Sequence, residues 1–523
     1  MAKTAPKRKN TLSAKWQQLN SKRSSLLSRC EDYAQVSLPY VFPRNSTGDR
    51  EMQSALDSTG ARAVNFLTNK LVMTLFPESQ PFFRLQVSDD VINQMTQAAK
   101  AGDEQAAQMI ASIDGELAAK ERQAVQSLGY TKFRTEATSA MRLLIITGNA
   151  CMYHPINDSA NPQVYNLRDY CVERDLSGNL IRLITQDKKA FSTFSKEIQD
   201  KLNAGSEKKR AGDDLVTLYT MVELHTDQKY HLSQSIEDVQ LDSEGVWVKD
   251  ELPWKVLTWN LLRGEDYGHG LVEDNYGALH ALAVLSEAGV SGAAVAAEIK
   301  FLVNPASMLD VKALNESESG SYHSGMKDDV TCVQLDKAID FQFVTNLIDR
   351  LERQIAAVFL MNSAVQRDAE RVTAEEIRYV AQELEMAHAG VYSRMATEWQ
   401  YPTAIMLLAK IGAKIGKDSK IQPMIITGID ALSRAGEMDN FRALVYDLAS
   451  LNTVPPEILK GFDSLKLIEY LALRRGVDYM KFSKTPGQMA QEQQAEFQNE
   501  QALQQQQLQG QAEVAQVKAQ ARR

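Results

Sequence analysis

The sequence predicts a mainly α-helical chain with a mixed, mostly antiparallel β region inserted in it. Two observations carry that reading. Apolar residues fall at helical spacing toward both ends, and between about Asn149 and Val248 the spacing changes to strand-like alternation. A third observation bounds it: at 523 residues, 44% hydrophobic and 24% charged, the chain has the composition of a folded protein of roughly two to four domains.

The first helix is read from Leu12, Trp16, Leu19, Leu26, Leu27, Cys30 and Ala34, which fall near one face, and Pro39 closes it. Lys15, Lys22, Arg23 and Arg29 form the opposite face, either a solvated surface or a contact for an acidic neighbour or nucleic acid. A second amphipathic helix spans 58–76 and stops at Pro77, and 81–87 reads as a short strand. Residues 88–148 return to helical spacing and end at Gly148, a plausible left-handed cap.

Strands are predicted at 151–154, 163–167, 170–172 and 180–185, with Ser177-Gly178-Asn179 as a hairpin turn. After a charged linker, Glu207 to Asp214, they resume at 215–221 and 246–248. The glycine-rich loop Arg263–Gly270 leads into a long helix whose stretch Ala288–Ala297 is rich in small residues. Glycine costs a helix interior up to about 1 kcal/mol against alanine, so this stretch predicts a close helix crossing, between subunits or within one. Leu302–Ala306 ends that helix. A loop-and-strand segment with a polar tip at Asn315–Gly325 follows, then a helix from Val344 to Met361.

Asn362–Arg371 is a polar loop with arginines at its shoulders. Thr373 and Glu376 form a capping box that starts a helix running to Trp399, broken at Pro402. More helices are expected over 403–480, and the glutamine-rich tail from Pro486 lacks the apolar residues to fold alone.

The net charge of -9 argues against a free-standing duplex binder, because such affinity rests on neutralising phosphates with Lys and Arg. Cys30, Cys151, Cys171 and Cys332 are far apart, without the paired spacing of zinc ligands, and read as reduced structural thiols of a cytosolic compartment. Met1–Lys9 is basic but leads into no apolar run, unlike a signal peptide, and Glu287, Glu298 and Lys300 interrupt the most membrane-like stretch. Gly412–Lys417 has three residues between its glycines and Asp418 after the lysine, so it is not a phosphate loop. His269 beside Glu265 and Asp266 reads as turn geometry, not a metal or acid–base site. No catalytic, cofactor or metal residue is assigned, and the chain is read as no enzyme.

The stretch Phe359–Glu385, followed by Gly390-Val391-Tyr392, closely resembles the head-to-tail connector, or portal, of short-tailed bacteriophages. Gly60–Pro77, Gly148-Asn149, Arg174-Asp175 with Gly178-Asn179, Tyr267-Gly268 and Leu302–Ala306 resemble further family segments in the family's order. The resemblance covers roughly residues 12–480.

It implies a portal fold and a ring of about twelve subunits at one capsid vertex. Residues 1–265 and 373–450 would form the wing, 266–302 and 344–361 the stem helices, and 303–343 the clip. Residues 362–372 would be a tunnel loop, 451–485 the crown and 486–523 a disordered or fraying tail. Within the tunnel loop, Asn362, Gln366, Arg367 and Arg371 would face DNA in the channel. The implied partners are further copies of the chain, major capsid and scaffolding proteins, terminase, tail adaptor and internal core proteins, and double-stranded DNA, with no membrane. The implied location is the virion's portal vertex, with host cytoplasm during assembly. Twelve copies at -9 would carry about -108, a wall along which DNA slides. The rival readings are another capsid-assembly component, such as a scaffold, and a DNA-processing enzyme with a dispersed site.

Overall fold

The computed structural model describes residues 11–44, 57–78, 81–87, 104–129, 131–155, 161–204, 212–237, 239–297, 300–307, 309–333, 338–361, 382–412 apart from 384 and 389, and 423–427, with Tyr446 and Leu471. The expected helices over 428–480, the crown and the glutamine-rich tail lie outside these, two single residues apart.

Where one N-terminal helix was expected there are two, α1 (Leu12–Lys22) and α2 (Ser24–Gln35). Arg23 separates them with non-helical dihedrals of φ -109° and ψ 12°. Its side chain is 3% exposed, which corrects its placement on a basic surface. The guanidinium turns inward and donates to the carbonyls of Leu167, Tyr170 and Arg168, the last at 3.1 Å. A charged group is buried at tolerable cost only when its donors are met, and here three carbonyls, with Asn20 Oδ1 3.1 Å from Nε, meet four of the five.

α3 (Thr59–Leu75), β1 (Phe83–Val87), α4 (Glu104–Gly129) and α5 (Phe133–Thr147) follow close to expectation. Gly148 caps α5 at φ 75°, the left-handed geometry its sequence predicted. The β region contains β2 (Asn149–Tyr153), β3 (Gln163–Tyr165), β4 (Tyr170–Arg174), β5 (Leu180–Ala190) and, after helix α6 (Lys196–Ala204), β6 (Leu215–Leu224). It continues with β7 (Tyr230–Ile236), β8 (Val239–Leu241), β9 (Val246–Trp247) and β10 (Trp254–Thr258). Helix α6 and strands β7, β8 and β10 were not read from the sequence.

β10, β2 and β3 form one antiparallel sheet; β4 through β8 form a second in chain order, with β9 added to β7. Alternation along β6 assigns its two faces. Tyr219 and Met221 meet Trp16 and Leu19 of α1, while Val216 and Leu218 meet Phe191, just after β5, and Leu202 of α6.

Beyond the sheets come α7 (Leu271–Asp274), α8 (Tyr276–Ala297), β11 (Lys300–Val303), α9 (Val311–Asn315), β12 (Val330–Val333) and α10 (Ala338–Val358). Leu302 therefore lies in a strand paired with β12, and α10 starts six residues before Val344. α11 (Val391–Met395) passes through a π-helical turn, Ala396–Gln400, into α12 (Tyr401–Lys410). Pro402 thus lies within a continuous helical run, just after its π-helical turn, instead of breaking it. β13 (Pro423–Thr427) corrects the all-helical expectation after residue 403.

The chain divides into two compact units. One holds residues 1–76, 131–370 and 383–399, and the other 77–130, 371–382 and 400–523. In the first, Phe76 meets Phe133 and Trp399 edge-on at 4.9 and 5.1 Å between ring centroids. In the second, β1 pairs antiparallel with β13, and Glu121 of α4 accepts from Leu85 N at 2.6 Å and Arg84 at 2.9 Å. Cys30, Cys151 and Cys171 are free and buried, as their spacing implied. Burial pushes the Cys30 and Cys171 thiols up to about 12 and about 11. Among the described residues, no helix is long and apolar enough to cross a membrane.

Candidate functional site

The segment singled out by the sequence is reached by the helical hairpin α8–α10, whose root is fixed by glycine chemistry. A Cβ at Gly148 would lie 2.4 Å from Gly268 O, and one at Gly270 would lie 2.7 Å from Gly148 N. Asn149 closes this approach by donating to Gly268 O and accepting from Gly268 N, both at 2.8 Å. The loop 263–270 therefore docks on the end of α5 and aims the chain into α7 and α8.

His269 occupies that loop between Glu265, 2.8 Å from Nε2, and Glu273, 3.1 Å from Nδ1. Burial pulls the imidazole pKa down, but the two carboxylates outweigh it and hold it above the usual range. Glu273 also pairs with Arg29 at 3.2 Å, so the acidic neighbour of this basic residue is in its own chain. The cluster ties α2 to the hairpin root. Among the described residues, no three His, Cys, Asp or Glu groups are set to hold a metal ion.

Burial falls away along the hairpin. Leu279 and Leu282 near the start of α8 are 2% and 0% exposed, as are Ile355 and Phe359 near the end of α10 at 1% and 0%. Farther out, Val284 and Val290 are half exposed, and nothing lies within 4 Å of a Cβ built on Gly289. At Gly289, among the described residues, the close crossing predicted for the small residues is thus not made within this chain. At the tip, Phe301, Leu302, Tyr322, Met326 and Phe343 are exposed apolar side chains around the β11–β12 pair.

α10 ends in a two-bond cap. Met361 N donates to Ala356 O at 2.8 Å and Leu360 N to Ala357 O at 3.3 Å, with Leu360 left-handed at φ 55°. Glycine is the usual occupant of that position. Glu352 of α10 accepts from Thr59 at 3.2 Å. On the far side of the loop, Glu383 takes Lys70 at 2.7 Å, and Glu385 accepts from Ser393 N at 3.0 Å. Thr59 and Lys70 stand eleven residues apart on α3, about 16 Å along its axis, so one helix braces both shoulders. Asn362, Gln366, Arg367 and Arg371 lie outside the described residues, as does the Thr373–Glu376 box. Neither the left-handed leucine nor the Lys70–Glu383 pair left a local signal in the sequence.

The family model for the bacteriophage head to tail connecting protein matches residues 9–480. The portal protein of Enterobacteria phage SP6 is 32% identical over 496 residues, covering 93% of each chain. That of Enterobacteria phage T3 is 32% identical over 449 residues, 84% of this chain and 82% of its own. That of Pseudomonas phage phiKMV is 31% identical over 509 residues, 95% and 96%. The neck of an empty gene transfer agent particle aligns with a TM-score of 0.38 and 11% identity over 81% of this chain and 91% of its own, which is too distant to establish a shared fold. The chain belongs to the family of bacteriophage head to tail connecting proteins, and its role is that of a phage portal.

Proposed function

We propose that about twelve copies of this chain form a ring at one vertex of the capsid, with an axial channel through which double-stranded DNA is packaged, retained and later ejected. The ring nucleates head assembly, docks the packaging ATPase, and then receives tail adaptor and internal core proteins. Residues 1–265 and 373–450 serve as wing, 266–302 and 344–361 as stem, 303–343 as clip, 362–372 as tunnel loop and 451–485 as crown. In the tunnel loop, Asn362, Gln366, Arg367 and Arg371 face the DNA. The protein acts mechanically, without catalysis of its own, in the virion and, during assembly, in the host cytoplasm.

The observation that carries this reading is the hairpin. Its root is buried in the core of its unit, while its outer half leaves valines, glycine and the tip's aromatic residues uncovered. Contiguous exposed apolar surface is characteristic of an association face. Negative-stain images of the purified protein, with mass by light scattering, test it: rings are expected. A stable monomer under every assembly condition overturns the ring.

A further inference from the structure

The hairpin between β6 and β7 carries two histidines on one face. Register pairs Glu223 with His231 and Leu224 with Tyr230, and His225 N donates to Lys229 O at 2.9 Å. His225 and His231 are therefore diagonal neighbours, a relationship that the twist of a two-stranded ribbon tightens. Their ring centroids are 4.3 Å apart with planes 36° from parallel. His231 Nε2 lies 3.0 Å from Asp227 Oδ2 in the turn, which leaves Nδ1 as its ring nitrogen for another ligand. Neither ring nitrogen of His225 has a hydrogen-bond partner among the described residues.

A histidine that ligates a metal commonly gives its other nitrogen to a carboxylate, which fixes the tautomer. His231 and Asp227 already stand in that relation. Two imidazole nitrogens on a tetrahedral ion lie about 3.3 Å apart for bonds of about 2.0–2.1 Å. The ring centroids now stand 4.3 Å apart, so converging one nitrogen of each ring on a shared ion calls for side-chain rotation. Glu223 on the same face is held by Arg182 and is no competitor for the ion; Lys229 shares the face as an exposed cation.

We propose that His225 and His231 bind a borderline divalent cation of the zinc, nickel or copper class at the tip of this hairpin. Asp227 orients His231, and water completes the coordination. The ion ties the end of β6 to β7 at the hairpin tip. Imidazole ligands select this class over magnesium or calcium, which take oxygen donors.

Zinc titrated by calorimetry into the full-length protein at pH 7.5, in a buffer that does not chelate, tests this. One ion per chain is expected, lost in His225→Ala and in His231→Ala, and weakened about 10–100-fold in Asp227→Asn. The tip is exposed, so all three variants should keep the wild-type circular dichroism. Zinc uptake unchanged in both histidine variants, or no uptake by the wild type, overturns the proposal.

Discussion

Lys70 Nζ lies 2.7 Å from Glu383 Oε2, a tie between the middle of α3 and the chain just after the 362–381 stretch. The lysine side chain is 10% exposed and the glutamate 24%, so the pair is largely withdrawn from water. Removing one partner leaves the other desolvated, which costs about 1–3 kcal/mol for a polar group and more for a charged one. Lys70→Ala should therefore lower the thermal transition of the chain, and Lys70→Met with Glu383→Gln should recover part of the loss. Independent, additive effects of the two substitutions would show that the pair is not coupled.

At the other shoulder, Leu360 holds φ 55° against the preference of any residue with a Cβ. A β-branched side chain tolerates that region worst. Leu360→Val should destabilise by about 1–2 kcal/mol, whereas Leu360→Gly should stay within about 1 kcal/mol of wild type, relief of strain offsetting lost packing. Equilibrium unfolding of both variants ranks them. Valine tolerated better than glycine would mean that the left-handed cap is not kept.

Lys255 on β10 is 4% exposed and donates to Leu252 O at 2.5 Å. Burial lowers its pKa from 10.5 to about 7, with Asp250 and Glu251 opposing the drop. Between those two values the unfolded chain binds more protons than the folded one, so stability rises with pH across that window; as pH falls it is lost from about 10.5 downward, and the loss is complete by about 7. Lys255→Met should stabilise the fold by on the order of a few kcal/mol at pH 6, with the advantage shrinking by pH 9. Melting temperatures at the two pH values decide it, and an equal gain at both would refute the linkage.

For the proposed tunnel loop, Arg367→Ala combined with Arg371→Ala should leave rings intact while impairing DNA packaging or retention. Packaging assays on assembled heads, beside images of the rings, separate the two effects. Full packaging and retention by the double variant would assign those arginines to loop structure instead.

Legibility followed the range of the forces involved. Helices with a periodic apolar face, such as α3 and α5, and the Gly148 cap were readable because their causes lie within one or two turns. Strand β13 was not. Its partner β1 is more than 300 residues away, and Pro423–Thr427 alternates too briefly to stand out among helices. Arg23 looked like surface because its position on a helical wheel says nothing about three carbonyls contributed from Leu167 to Tyr170. The family was legible from Phe359–Glu385, although the four residues assigned to the channel fall where the described chain stops.

The contrast along the α8–α10 hairpin also bears on how its outer half is stabilised. Leu282 and Phe359 are held by their own unit, whereas Phe301 and Tyr322 meet water until another surface arrives. A partner that covers them stabilises the tip by mass action, so its resistance to local opening should climb with protein concentration while the root's stays constant. In the proposed ring, the same hairpin would be a unimolecular structure at one end and a concentration-dependent one at the other.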